Sequence, residues 1–392
     1  MSMLRFSCLS ILAFVALTMG QSSVGLAAEN SGPVVIHAVR HDVSLPMRDI
    51  IRNMPAQPAN TEQEIKEIPN IFLQPSMSIL SKQPDMKYPG IQKQPSSVPA
   101  PVVDLSFDAI NVISSGCNCM PPDTNGDVGK NEYIQWVNTR WAVYDKTDGS
   151  LISGPTDGNS FWSGFGGQCE TTNEGDPLVV YDQVAERWVM SQFTTSAPFA
   201  QCVAVSTSSD PLGTYNRYEF QWPLFGDYGK LAMWTDDSGS QSAYMLTTHE
   251  FSGSFQGAAL IAMERDKMLA GDPSPAEVRY PGYDAYGVQP VNLIGTVKAP
   301  ANACPSFVHF DASTSDYLFW DMCLDWATPS NTTITAKASP TRLAASVPFS
   351  PYYSSVVQPA SGTGLASFGS NIMYRATARA FPIGAPQRVA LV

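Results

Sequence analysis

Short apolar runs separated by turns fill most of this chain, and their spacing is that of strands. Each run mixes β-branched and aromatic residues with an occasional polar one, and Gly, Asp or Pro stands between runs. The stretch 121–220 is the most regular. Its first unit opens on Asp123-Thr124-Asn125-Gly126-Asp127-Val128-Gly129 and continues through 132–138 and 141–145. The second opens on Gly175-Asp176-Pro177 and continues through 178–182, 187–193 and 202–206. A third follows at 227–234, 243–248 and 257–263, a fourth at 306–310 and 317–322, and the start of a fifth at 371–376. Beyond Asp104 no amphipathic helix interrupts the pattern except a turn at 265–269.

A unit of strand, turn and strand that recurs at this spacing predicts an all-β fold, arranged as a β-propeller of five or more blades. A two-sheet sandwich is the competing arrangement. The fifth unit is short, so the propeller is either incomplete or closed by a strand from earlier in the chain, because an open blade would expose strand edges.

Before the repeats the pattern changes. Arg5, an apolar run over 11–19 and small residues ending at Ala27-Ala28 have the three parts of a secretory signal. Between 29 and 104 eleven prolines remove backbone donors and break up long elements. That region reads as an extended leader wrapped over the main domain, with one strand at 34–39 and a helical turn at 61–66. The organisation expected is therefore signal peptide 1–28, leader 29–104 and propeller 105–392, in a secreted or periplasmic monomer without a membrane span.

Charge narrows the partners. A net charge of -12 with only 15% charged residues repels phosphate backbones, so nucleic acid is excluded. Of seven cysteines, six remain beyond the signal, an even number suited to disulfides in an exported chain. Cys169 with Cys202 and Cys304 with Cys323 each bracket a predicted hairpin and are the favoured pairs. Cys117 and Cys119 are too close in sequence for an unstrained bridge to each other.

The segments 123–129 with 135–138, 164–169, 176–182 with 187–189, and 201–206 together resemble a family of exported bacterial proteins of unassigned function. The likeness spans roughly 107–375 and implies a propeller without implying an activity. More weakly, 204–215 is similar to a turn found in five-bladed propeller glycoside hydrolases.

Three sets of residues are candidates for chemistry. Asp123, Asn125, Asp127 and Asn131 stand at loop positions one, three, five and nine, a spacing of oxygens that suits Ca²⁺, although Val128 and Ile134 occupy the places where an EF-hand needs Gly and Glu. A turn in which these side chains bond their own backbone explains the same residues. Asp123, Asp176 and Asp236 or Asp237 stand near the starts of successive units and supply the carboxylates a glycoside hydrolase needs, two of them about 5 to 9.5 Å apart. Phe161, Trp162 and Phe165 in a Gly-rich loop offer faces for stacking on a sugar, or filler between blades. No G-x-S-x-G elbow or His-Glu-x-x-His pattern is present. The function expected is a binding or scaffold module for carbohydrate or a cell-surface protein, with glycoside hydrolysis as the alternative.

Overall fold

The computed structural model describes residues 32–54, 103–111, 122–311, 316–337, 371–382 and 388–390. Cys117, Cys119, the helical turn expected at 61–66 and the signal segment lie outside the described residues.

Two strands come from the leader, β1 (Val34–His37) and β2 (Arg40–Val43). The first repeat forms β3 (Asn125–Val128), β4 (Glu132–Val137), β5 (Arg140–Asp145) and β6 (Leu151–Asp157). The second forms β7 (Leu178–Asp182), β8 (Arg187–Phe193), β9 (Phe199–Ser206) and β10 (Tyr215–Trp222), and the third β11 (Phe225–Trp234), β12 (Ala243–Phe251), β13 (Phe255–Met263) and β14 (Ala276–Tyr283). After β15 (Gln289–Pro290) and β16 (Asn292–Ile294) come β17 (Ser306–Asp311), β18 (Asp316–Cys323), β19 (Thr333–Lys337), β20 (Thr377–Arg379) and β21 (Arg388–Ala390).

Among the described residues these make five sheets, ordered β3-β4-β5-β6, β7-β8-β9-β10-β2, β11-β12-β13-β14-β1, β15-β17-β18-β19 and β16-β20-β21. Each repeat is an antiparallel meander, and the first strands of the repeats pack against one another: β3 on β7, β7 on β11, and β11 on β15 and β16. Strand β20 continues this inner row by pairing in parallel with β16. Just ahead of β20, Arg375 donates to Asp127 Oδ2 at 2.7 Å, Val179 O at 2.8 Å and Gly126 O at 3.3 Å, which ties the fifth sheet back to β3 and β7. The fold is an all-β propeller.

The blade arrangement explains why the apolar runs are continuous and do not alternate strictly. A blade has a neighbour on each face, so both sides of its inner strands lose contact with water. All of β7 and all of β12 are buried, including the polar residues Thr247, Thr248, His249 and Glu250. Polar groups in such a place require partners. Thr247, for example, donates to Val288 O at 2.8 Å. Small residues let the blades approach. A Cβ on Gly129, in the turn after β3, would lie 2.4 Å from the Trp188 ring of the second blade.

The leader does not form the single strand expected at 34–39. It splits at Ala38 and Val39, pairs β1 with β14 and β2 with β10, and so adds an outermost strand to two adjacent blades. Arg217, itself 3% exposed, grips Asp42 of β2 through two bonds of 2.7 and 2.6 Å. The helix Met47–Asn53 then buries Met47 and Ile50 in the core with Phe161 and Trp162. Pro33 and Pro46 flank the paired strands without interrupting them, as an edge position allows.

Both favoured disulfides are present. Cys169–Cys202 joins the short helix Gly167–Thr171 to β9, and Cys304–Cys323 joins the chain ahead of β17 to the end of β18. The helix expected near 265–269 forms over Arg265–Ala270 and ends at Gly271, whose φ of 73° supplies the left-handed cap. No helix among the described residues is long and apolar enough to cross a membrane.

Candidate functional site

The inner strands of the first three blades begin alike. Asp123 precedes β3 with φ 40°, Asp176 precedes β7 with φ 44°, and Tyr228 sits at a bulge in β11 with φ 54°. Aspartate tolerates this left-handed backbone, whereas for tyrosine it is strained, and such strain concentrates at functional positions. Immediately before Tyr228 is Asp227, buried at 8% exposure.

These starts meet at one end of the propeller. Burial, reinforced by the neighbouring Asp176 carboxylate, pushes the Asp227 carboxyl up to about 7, although Asp227 accepts the backbone N–H of Tyr228 at 2.6 Å. Asp176 Oδ1 is buried without a hydrogen-bond donor. Next to the pair lies Lys230, two residues beyond Tyr228. Desolvation lowers its ammonium to about 8 against the opposing pull of Asp176, Asp227 and Asp123. Its Nζ donates to Gly229 O at 2.9 Å and lies 3.4 Å from the centre of the Tyr228 ring. Asn138, at 2% exposure, donates to Asp123 Oδ2 at 2.9 Å and packs beside Gly175. Asn371 donates to the Tyr228 hydroxyl at 3.0 Å from the far side of the ring of blades.

Over this cluster opens a cleft of about 630 Å³. It is built from the turns at this end of the first three blades: Asn138 and Thr139, then Thr171 to Glu174, then Phe193 to Phe199, then Pro223 to Asp227, then Phe251 to Gly253. One wall is aromatic. Phe225 stands with its ring centre 5.3 Å from Phe193, 5.8 Å from Phe199 and 6.4 Å from Phe251. Phe193 and Phe251 are buried behind it, while Phe225 and Phe199 keep part of their surface in the cleft. The polar lining includes Asn138, Thr139, Thr172, Asn173, Glu174 and Asp227. Glu174 also accepts the backbone N–H of Thr195, fixing one turn against another.

The residues singled out from sequence fall in several places. Asp123 and Asp176 come together at this end, and the third carboxyl beside them is Asp227. Asp236 and Asp237 are not part of the group. They follow the opposite end of β11, roughly 25 Å of strand away. Asp236 is fully buried as a turn residue. Burial works against its charge, yet donors from Ser238, Gln241 and Asn302 hold its carboxyl below the usual range. Asp237 is exposed. Asp227 opens the third unit between Gly226 and Gly229, much as Asp176 follows Gly175 in the second, but Asp236 and Asp237 occupy its place in the set expected from sequence; the bulge at Tyr228-Gly229 follows it directly.

Phe161, Trp162 and Phe165 do not form a contact surface. They are 0%, 0% and 5% exposed, packed with Trp136, Trp141 and Tyr215 in the first two blades. Their Gly-rich loop folds inward as a 3-10 turn over Gly158–Trp162. The aromatic surface that is open belongs instead to Phe199 and Phe225.

Asp123, Asn125, Asp127 and Asn131 share one hairpin, but their oxygens are directed to protein partners. Asn125 Oδ1 accepts from Val179 N at 3.0 Å, and Asp127 accepts from Tyr181 N at 2.8 Å and from Arg375. Asn131 is exposed at the turn. These bonds join the first blade to the second and fifth.

No protein-family model matches the chain, and no curated protein matches it either. One solved structure that superposes in part is a GH43 β-1,3-galactosidase determined with galactodeoxynojirimycin, at 10% identity and a TM-score of 0.27, over 55% of this chain and 89% of that one. At that level of superposition the roles of its residues do not transfer to this chain.

Proposed function

We propose that this chain is an exported carbohydrate-binding propeller whose ligand lies in the cleft above Asp227. The observation that supports this reading is the mixed lining: partly exposed phenyl rings together with amide, hydroxyl and carboxyl groups. Sugar rings present the same two faces, apolar C–H groups and a rim of hydroxyls, and pockets of this size with few placed polar groups are the common form of small-ligand sites. Two disulfides and the lack of a membrane-crossing helix among the described residues are compatible with export. A glycan array probed with the mature protein tests the reading. Phe225→Ala weakens capture about tenfold, and absence of capture from every glycan rejects carbohydrate as the ligand.

Glycoside hydrolysis is a second reading, favoured by one observation: Asp227 retains its proton near neutral pH, as a general acid must. This reading needs a second carboxylate roughly 5 to 9.5 Å from Asp227, a place that Asp176 or Asp123 would have to fill. Under this reading Asp227→Asn abolishes turnover of a captured glycan, and a wild-type protein that captures without turnover removes it.

A structural Ca²⁺ at Asp123, Asn125, Asp127 and Asn131 is a separate proposal. The ion would have to displace Arg375 from Asp127. Calcium then raises the melting temperature and EDTA lowers it; an unchanged melting curve rejects the ion.

A further inference from the structure

We infer that the cleft favours saccharides bearing a basic amine, an inference that rests on the carbohydrate reading above. The charged side chains lining it are Glu174 and Asp227, and neither lysine nor arginine joins them. The layer beneath is also acid-rich. Asp123, Asp176 and Asp227 face the single ammonium of Lys230, and the guanidinium of Arg375 is already engaged by Asp127. Even with Asp227 protonated, the carboxylates of Asp123 and Asp176 outnumber the Lys230 ammonium that they face.

The aromatic wall adds to this bias. Phenyl faces attract an ammonium group, and the attraction strengthens where water is excluded. A sugar ring stacked on Phe225 places its substituents in the same cleft as the Glu174 carboxyl. Replacing a hydroxyl with an ammonium at that position gains charge-assisted hydrogen bonds. An N-acetyl group in the same place loses the charge, and a uronic acid or sulfate meets like charge.

The inference is tested by calorimetric titration of the mature protein with three probes of equal length: a glucosamine oligosaccharide, its fully N-acetylated form and a glucose oligosaccharide. In mildly acidic, low-salt buffer the glucosamine probe binds about tenfold more tightly than either of the others, and added salt narrows the gap. Glu174→Gln, which keeps an oxygen for the Thr195 N–H, brings the ratio toward one. Phe225→Ala weakens all three probes, and a cooperative melting transition in each variant shows that the fold is intact. Equal affinities, or weakest binding by glucosamine, overturn the amine preference and leave the carbohydrate reading standing. Failure of all three probes to bind also overturns the amine preference, and the glycan array then decides whether the carbohydrate reading falls with it.

Discussion

Two places in this propeller contain a pair of acids beside one base, and they differ in what covers them. At the channel mouth Asp176 and Asp227 face Lys230; between the second and third blades Glu250 and Glu277 face Arg279. In each, burial is the main cause that lifts one carboxyl to about 7, Asp227 in the first and Glu277 in the second. The second cluster is sealed. Glu277 is 0% exposed and accepts the Trp222 indole N–H at 3.0 Å, Arg279 stacks on Trp222, and both residues pair with leader strand β1. The first opens into a cleft of about 630 Å³. A shifted proton affinity alone does not mark a functional site. Access to a ligand separates the two.

Substitutions can break this comparison, beginning in the sealed cluster. Arg279→Leu leaves Glu250 and Glu277 buried without their cation and lowers stability by about 3–5 kcal/mol, measurable by urea unfolding. Lys230→Met removes a cation that is partly exposed, so its cost is expected to be smaller. Equal losses at the two positions would erase the distinction.

Next in size is the pH dependence of the sealed cluster. The folded protein holds the Glu277 proton more tightly than the unfolded chain does. Its stabilising contribution is therefore complete at acid pH, falls as pH rises from 4.5 toward about 7, and is flat beyond. Glu277→Gln removes that fall and stabilises the protein at pH above this window by up to about 3 kcal/mol. Melting temperatures across pH measure it, and a variant that follows the wild-type curve refutes the assignment.

The smallest effect on stability belongs to the open pair. Asp227→Asn replaces a carboxyl that keeps its proton up to about pH 7 with a neutral amide of the same shape and changes stability by less than about 1 kcal/mol, while altering glycan capture or its pH dependence. A large loss of stability with unchanged capture would place this pair in the same structural role as the sealed one.

The blades were legible because each strand carries its own signal of β-branched and aromatic residues between turns. The two disulfides were legible because each bracketed a recognisable hairpin. Less could be read of the site. Asp123, Asp176 and Asp227 all stand at Gly-bearing unit starts, so the sequence marks all three, but nothing local tells that Asp227, and not Asp236 or Asp237, meets the other two. Phe161, Trp162 and Phe165 show the reverse error. Their Gly-rich surroundings suggest an exposed loop, yet the space between Trp136, Trp141 and Tyr215 takes them in. The leader was misjudged for the same reason. Its apolar residues at 34–39 suit one strand, but the edges available to it belong to two different sheets.

The sequence by itself determined the strand content, the repeat, the cysteine pairs and the acidic character, because these depend on local pattern and composition. The tertiary structure decided which carboxylates meet, which aromatics remain open and how the leader is used. Those outcomes depend on contacts between residues twenty or more positions apart, where the competition for buried space sets each side chain's surroundings.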